Sequence, residues 1–338
     1  MGSRVIVRGE IPTAPVPPAT KTVQTPAAAE CTFSEQSLTG FRWVAPRRAA
    51  CIRRNHGVNR QGSDGCPSPE TKLMLLAQIS DLHITAPGTL AYGRVDTAAF
   101  LTRAIDALNA LAPRPDAVLI TGDLVDAGGI DEYRQLRTLL ERLAVPWFPL
   151  LGNHDDRANF RAVFGDRAGA ASDGFAQHAF DVGDMRVIAL DTLDPGSGAG
   201  RLCAARLAWL EAQLDACRDR PVIVGMHHPP FACGIGFMDA IRLAPDDARA
   251  LDALLRRHPN VERIVCGHVH RPITARFGGT VVWCAPSTAH QVALQLTPDG
   301  PDALVMEPPA FGLHLWRAET GLVTHCRCVD QGDGPYVF

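Results

Sequence analysis

Residues 74–84 read "MLLAQISDLHI". An apolar run broken by one glutamine ends at Ser80, and Asp81 and His83 come next, one residue apart. So short a run, apolar at both alternations, reads as a strand buried on both faces. Ligand-type side chains just beyond such a strand sit where open α/β sheets gather their sites, at the carboxyl ends of strands. Whether this is a site depends on the residues beyond the other strands.

Upstream, the character is different. Residues 1–73 hold eight prolines, arginine pairs and many small residues, with no helical or strand period. They carry ten Lys and Arg against five Asp and Glu, whereas residues 74–338 carry 23 against 31. We expect 1–73 to be a disordered tail or mis-assigned leader, with the natural start at or near Met74 and one domain over 74–338. No apolar signal core succeeds the arginines, so a secretory address is not expected. The acidic body argues against a nucleic-acid polymer as partner, which needs a basic face. No apolar run of membrane-spanning length occurs, so no membrane partner is expected. The ten cysteines include no C-x-x-C pair. They read as reduced thiols of a cytoplasmic chain.

Downstream, helix and strand patterns alternate. Strands are predicted at 73–80, 116–122, 146–151, 221–226 and 262–267, with hairpins over 180–191 and 273–285. Helices are predicted at 96–111, 131–143, 207–217 and 245–257, the first capped by Asp96. The order implies α/β, with parallel crossovers early and antiparallel strands late.

The same residue types recur beyond these strands. "ITGDLVD" offers Asp123 and Asp126, and "LLGNHDD" offers Asn153, His154 and Asp155. "VGMHHPP" offers His227 and His228, and "VCGHVH" offers His268 and His270. Imidazole, carboxylate and amide oxygen without thiolate suit Mn, Fe, Co or Zn. They are too many for one tetrahedral ion, which points to two ions sharing a carboxylate. His290, in "PSTAHQV" after a predicted strand, is a candidate for the substrate pocket, as is the Gly-rich segment 231–247.

Taken in order, D-x-H, G-D-x-x-D, G-N-H-D, H-H-P-P and G-H-x-H resemble the calcineurin-like metallophosphoesterases. The likeness is to the branch of class III cyclic-nucleotide phosphodiesterases and glycerophosphodiesterases. It implies two packed mixed β-sheets flanked by helices. It implies one metal on Asp81, His83 and His270, a second on Asn153, His227 and His268, and Asp123 between them. His227 is favoured over His228, though the swap stays open on sequence. Asp126, Asp155, His228 and His290 are expected to support ligands or substrate. Asp126 or Asp155 is the candidate to orient a histidine.

The expected reaction is attack of a metal-bound hydroxide on the phosphorus of a small phosphodiester, 3′,5′-cyclic AMP or a glycerophosphodiester. Asp123 and His154 are the catalytic candidates, His154 stabilising a phosphoryl oxygen or protonating the leaving alkoxide. Two divalent ions balance Asp81, Asp123, a hydroxide and the diester. A mixed Fe(III)/M(II) pair leaves one positive charge over. "GDLVDAG" has Ala127 where protein phosphatases of the superfamily have a phosphate-gripping arginine. The alternatives are a phosphomonoesterase or nucleotidase on the same metals, or a metal- and nucleotide-binding sensor without turnover. Homo-oligomerisation stays open.

Overall fold

The computed structural model describes residues 73–165, 174–297 and 300–337. All lie in the unit Cys66–Phe338. The expected tail, 1–73, falls almost wholly outside the described residues, as do Cys31, Cys51 and Cys66.

The order is β1 (Met74–Ile79), α1 (Thr97–Asn109), β2 (Ala117–Thr121), α2 (Ile130–Leu140), β3 (Trp147–Leu150) and α3 (Arg157–Phe164). Next come β4 (His178–Val182), β5 (Met185–Ala189), α4 (Ala204–Asp215), β6 (Val222–Gly225), α5 (Gly236–Ala240) and α6 (Pro245–Leu255). The chain ends in β7 (Val261–Cys266), β8 (Ile273–Phe277), β9 (Thr280–Cys284), β10 (Gln291–Val292), β11 (Leu304–Val305), β12 (Ala310–Arg317) and β13 (Gly321–Cys328).

Local chemistry sets the helix starts. The Asp96 carboxylate accepts from the Ala99 amide at 3.0 Å, as the sequence predicts. Glu132 accepts from the Gly129 amide at 2.8 Å, and Asp156 from the Asn159 amide at 2.8 Å.

Two mixed sheets form, in the orders β13-β12-β1-β2-β3 and β4-β5-β6-β7-β9-β8. β1, β2 and β3 run parallel, as do β5, β6, β7 and β9. Alternation along β2 builds two layers at once. Val118 and Ile120 face α1, α2 and α3, among Leu101, Ile105, Leu136 and Phe160. Ala117 and Leu119 face the second sheet, among Val187, Ile223 and Val265. On the far side of that sheet, Ile188 and Val224 pack on Leu210 and Leu214 of α4 and Leu251 of α6. The expected sandwich of two mixed sheets flanked by helices is therefore what the chain forms.

Six elements have no counterpart in the sequence prediction: α3, the short α5, β10 and β11, and the pair β12 and β13. β12 takes the place beside β1, antiparallel, with Gln78 opposite Gly312 and Leu76 opposite His314. Among the described residues, no helix is long and apolar enough to cross a membrane.

Leu119 lies wholly inside the layer between the sheets. Truncation to alanine is expected to cost about 2–5 kcal/mol. Urea unfolding of Leu119→Ala tests this, and an unshifted midpoint would contradict the packing.

Candidate metal centre

Five strand ends converge. Asp81 and His83 lie beyond β1, Asp123 beyond β2, and Asn153 and His154 beyond β3; His227 and His228 lie beyond β6, and His268 and His270 beyond β7. Each sheet thus contributes about half the centre. The backbone there is unusual. Asp81, His83, Asp123, His268 and His270 have φ of 54°, 45°, 47°, 71° and 51°, the left-handed region that side chains seldom adopt. Strain of this kind persists only where surrounding contacts impose it, and it clusters at functional sites.

The contacts are identifiable. Both Asp81 oxygens accept from the His268 amide, at 2.9 and 3.2 Å. Asp123 Oδ1 accepts from the His154 amide at 2.9 Å. Gly267 must lack a side chain, because a Cβ there would collide with Ser80 Oγ and stand 2.7 Å from the Thr121 carbonyl. A Cβ on Gly152 would likewise collide with Asp123.

The imidazoles are aimed by their outer nitrogens. His83 Nδ1 lies 3.2 Å from Asp126 Oδ1, His227 Nδ1 2.8 Å from the Thr121 carbonyl, and His270 Nδ1 3.0 Å from the His290 carbonyl. Each acceptor calls for a proton on Nδ1, leaving the inward Nε2 with a bare lone pair. His83 Nε2 and His270 Nε2 are 3.2 Å apart, and His227 Nε2 is 3.2 Å from His268 Nδ1. Nitrogens at that separation need a proton or a metal cation between them.

The carboxylates make the same demand. His270 Nε2 is 3.3 Å from Asp81 Oδ1. Asp123 Oδ2 lies 3.6 Å from His83 Nε2 and 3.2 Å from His227 Nε2, so one oxygen faces both histidine clusters. Burial favours the neutral acids, yet His270 and His227 outweigh it and hold Asp81 down at about 2. Asp123 is held well below its ordinary range, burial again being overcome by His227 and His154. Burial alone would depress His227, but Asp123 and Asp81 raise it to about 9. The donor set, buried oxygen and nitrogen without sulfur, fits divalent first-row metals. Asp81, His83, Asp123 and His270 bring ligand atoms within 4.8 Å of one another, as do His227, His228 and His268.

The supporting residues differ in role. His228 has both nitrogens engaged, Nδ1 at 2.8 Å from Thr192 Oγ1 and Nε2 at 3.2 Å from the Gly198 carbonyl. His227 Nε2, by contrast, faces Asn153 Oδ1 at 3.2 Å. Of the two carboxylates considered for orienting histidines, only Asp126 touches one. Asp155 instead accepts from the amides of Gly152 and Leu124, at 2.8 and 3.1 Å, and from Tyr133 Oη at 2.9 Å. It braces the β2 and β3 loops, and burial with Asp123 nearby lifts it to about 7. His154 gives its Nδ1 to the Asp126 carbonyl at 2.7 Å. Burial lowers the His154 pKa, but Asp123 and the Asp126 carbonyl bring it above the ordinary value.

A cavity of roughly 400 Å³ opens over these groups. Its walls include His290, as anticipated, and Phe237, Met238 and Ile241 from the 231–247 segment. Tyr92, also in the wall, escapes the sequence reading. Its ring meets His290 edge-on at 5.1 Å. The "APGTLAYGRV" loop that carries it has no period to mark it.

The family model described as calcineurin-like phosphoesterase matches residues 74–272. The chain belongs to this family. It is 38% identical over 265 residues to a probable glycerophosphodiester phosphodiesterase GpdQ of Arcobacter nitrofigilis, covering 78% of this chain and 97% of that protein. It is 36% identical over 265 residues to a probable cyclic nucleotide phosphodiesterase of Rhodopseudomonas palustris, covering 78% and 94%. A dimetal phosphatase from Danio rerio shares the fold, with TM-score 0.58 at 17% identity over 76% of this chain and 97% of that one.

Substitution of Gly267 in this phosphoesterase by alanine is expected to displace Asp81 and lower bound metal at least tenfold in affinity. Calorimetric Mn(II) titration measures it; unchanged binding would contradict the close packing described.

Proposed function

We propose that this metal-dependent phosphodiester hydrolase works with two ions, divalent or a mixed Fe(III)/M(II) pair drawn from Mn, Fe, Co or Zn. Asp81, His83 and His270 would hold one, and Asn153, His227 and His268 the other. Asp123 would be shared, a role suited to an oxygen that faces both histidine clusters. His227 rather than His228 is the ligand in this reading, because both nitrogens of His228 are already engaged. Bound there, such ions activate water and neutralise phosphate charge.

The chain's own residues supply the rest. Asp126 keeps His83 oriented through Nδ1. His154 has Nδ1 committed to the Asp126 carbonyl and its ring at the cavity wall. Its Nε2 is the atom that delivers a proton to the leaving alkoxide as the P–O bond breaks. Phe237, Met238, Ile241 and Val292 exclude water on one side of the substrate.

The substrate is a small phosphodiester, 3′,5′-cyclic AMP or a glycerophosphodiester. The carrying observation is the charge of the wall. Among the described residues lining the cavity there is no Lys or Arg, while Asp123 and Asp302 are present. A diester brings one negative charge and a monoester close to two at neutral pH, so the extra charge of a monoester meets no Lys or Arg in the wall. The seven described cysteines are all free, which suits the reducing cytoplasm.

With Mn(II), the full chain is expected to turn over bis(p-nitrophenyl) phosphate faster than p-nitrophenyl phosphate, and Asp123→Ala to abolish both. Monoester preference would overturn the substrate assignment in favour of a phosphatase. Absence of turnover with two ions bound would favour a sensor. His154→Ala should lower kcat by about 10²–10⁴-fold. Its KM for the diester should change little, since uniform binding is not what it provides. Steady-state kinetics decide this, and a loss confined to KM would remove His154 from proton transfer.

A further inference from the structure

Gln78 is a wholly buried polar residue in the middle of the apolar strand β1. Neither it nor His314, equally buried on β12, belongs to the metal centre. Burying such groups is costly unless their donors and acceptors are met, and those of Gln78 and His314 are met along one line.

The line can be traced by donor and acceptor. Arg263 on β7 donates to Thr324 Oγ1 at 2.8 Å and to the Leu322 carbonyl at 3.0 Å, both on β13. Thr324 Oγ1 lies 2.9 Å from His314 Nδ1. His314 Nε2 lies 3.0 Å from Gln78 Oε1, which only accepts, so the proton is on Nε2 and Nδ1 receives the Thr324 hydroxyl. Gln78 Nε2 then donates twice, to Thr121 Oγ1 at 2.8 Å and to the Cys266 carbonyl at 2.9 Å. Thr121 donates to Ser80 Oγ at 2.7 Å, and the Thr121 carbonyl meets His227 Nδ1 at 2.8 Å.

Three of these bonds cross between strands of the two sheets, and the Thr121–His227 bond crosses again at the loop beyond β6. Gln78 belongs to the β1 sheet and Cys266 to the β7 sheet; Arg263 reaches from β7 to β13. Trp283 of β9 adds its ring against His314, edge-on at 5.4 Å. Gly312, opposite Gln78, keeps the space open, since a Cβ there would stand 2.5 Å from the Trp283 ring. The crossing lies directly beneath the metal centre. Cys266 is two residues before His268, Gln78 three before Asp81, and Thr121 two before Asp123.

From this we infer that the Gln78–His314–Thr324–Arg263 line is an inter-sheet clamp that sets the spacing and register between the two halves of the centre. Asp81, His83, Asp123 and Asn153 come from one sheet, and His227, His268 and His270 from the other. Apolar packing between sheets is non-directional and tolerates small sliding. Hydrogen bonds of fixed geometry do not. Gln78 is thus a positioning residue that acts through Thr121 and Cys266. The inference rests on the dinuclear reading above.

The test compares Gln78→Met, which keeps bulk and removes the donors, with Val187→Ala, an apolar truncation in the same inter-sheet layer. Mn(II) binding to the full chain is measured by calorimetry, and the exchange coupling of the bound pair by electron paramagnetic resonance. Gln78→Met is expected to weaken the more weakly held ion at least tenfold, alter the coupling and lower kcat by about tenfold. Val187→Ala should lower Tm without changing affinity or coupling. Thr324→Val, at the outer end, should give the same changes in smaller degree and serves if Gln78→Met does not fold.

Unchanged affinity and coupling in a folded Gln78→Met, or in Thr324→Val where Gln78→Met does not fold, overturns the clamp. So do equal changes in Val187→Ala. A wild-type chain that stops at one ion overturns the dinuclear reading instead, and the clamp is then judged by the same comparison on that ion's affinity.

Discussion

Two carboxylates, Asp81 and Asp123, are buried just past adjacent strands of one sheet, and both are held ionised. Buried negative charge must be compensated, or the group takes up a proton and becomes neutral. Much of the surrounding structure answers that demand. Histidines from the second sheet face the carboxylates, backbone amides of His154 and His268 donate to them, and the chain bends into left-handed conformations to bring these groups inward. The raised pKa of His227 has the same origin. A centre that draws positive charge this strongly suits metal ions, and through them a phosphate anion.

The demand also explains why two sheets are needed. One sheet supplies all the carboxylates and the amide, and the other supplies three of the histidines. In the ligand sets proposed here each ion draws on both sheets. Close approach of the loops then becomes a steric problem, met by glycines at 152 and 267 where any side chain would strike Asp123 or Ser80. Asp155 contributes from behind, tying the β2 loop to the β3 loop through backbone amides. Its role is bracing, although its place beside His154 and Asn153 suggested contact with a histidine.

Much of this is legible in the sequence because it is local. An apolar run ending in ligand-type residues marks both a strand and what stands at its end, and the five such blocks fall on parallel strands, β1 to β3 in one sheet and β6 and β7 in the other. Asp96 as a helix cap is legible for the same reason. The parts that escape depend on distant partners. β12 and β13 carry Arg, His and Cys among their apolar residues, and β12 finds its place only by pairing with β1, more than 200 positions earlier. Gln78 is a single polar interruption until that pairing brings His314 to it. Tyr92 lies on a loop of local backbone turns that is brought to the cavity by packing of Ala91 and Val95 with the distant Ala289. The left-handed φ values leave no trace in composition, because Asp and His serve equally well in ordinary conformations.

In the proposed centre, seven residues from two sheets hold two metal ions that share Asp123. Anomalous X-ray diffraction from Mn(II)-loaded crystals tests it most directly. The account predicts two peaks about 3.5–4 Å apart, with an Asp123 oxygen between them and His227 on the second. A single peak, or a second ion held by His228 with His227 turned away, would contradict it.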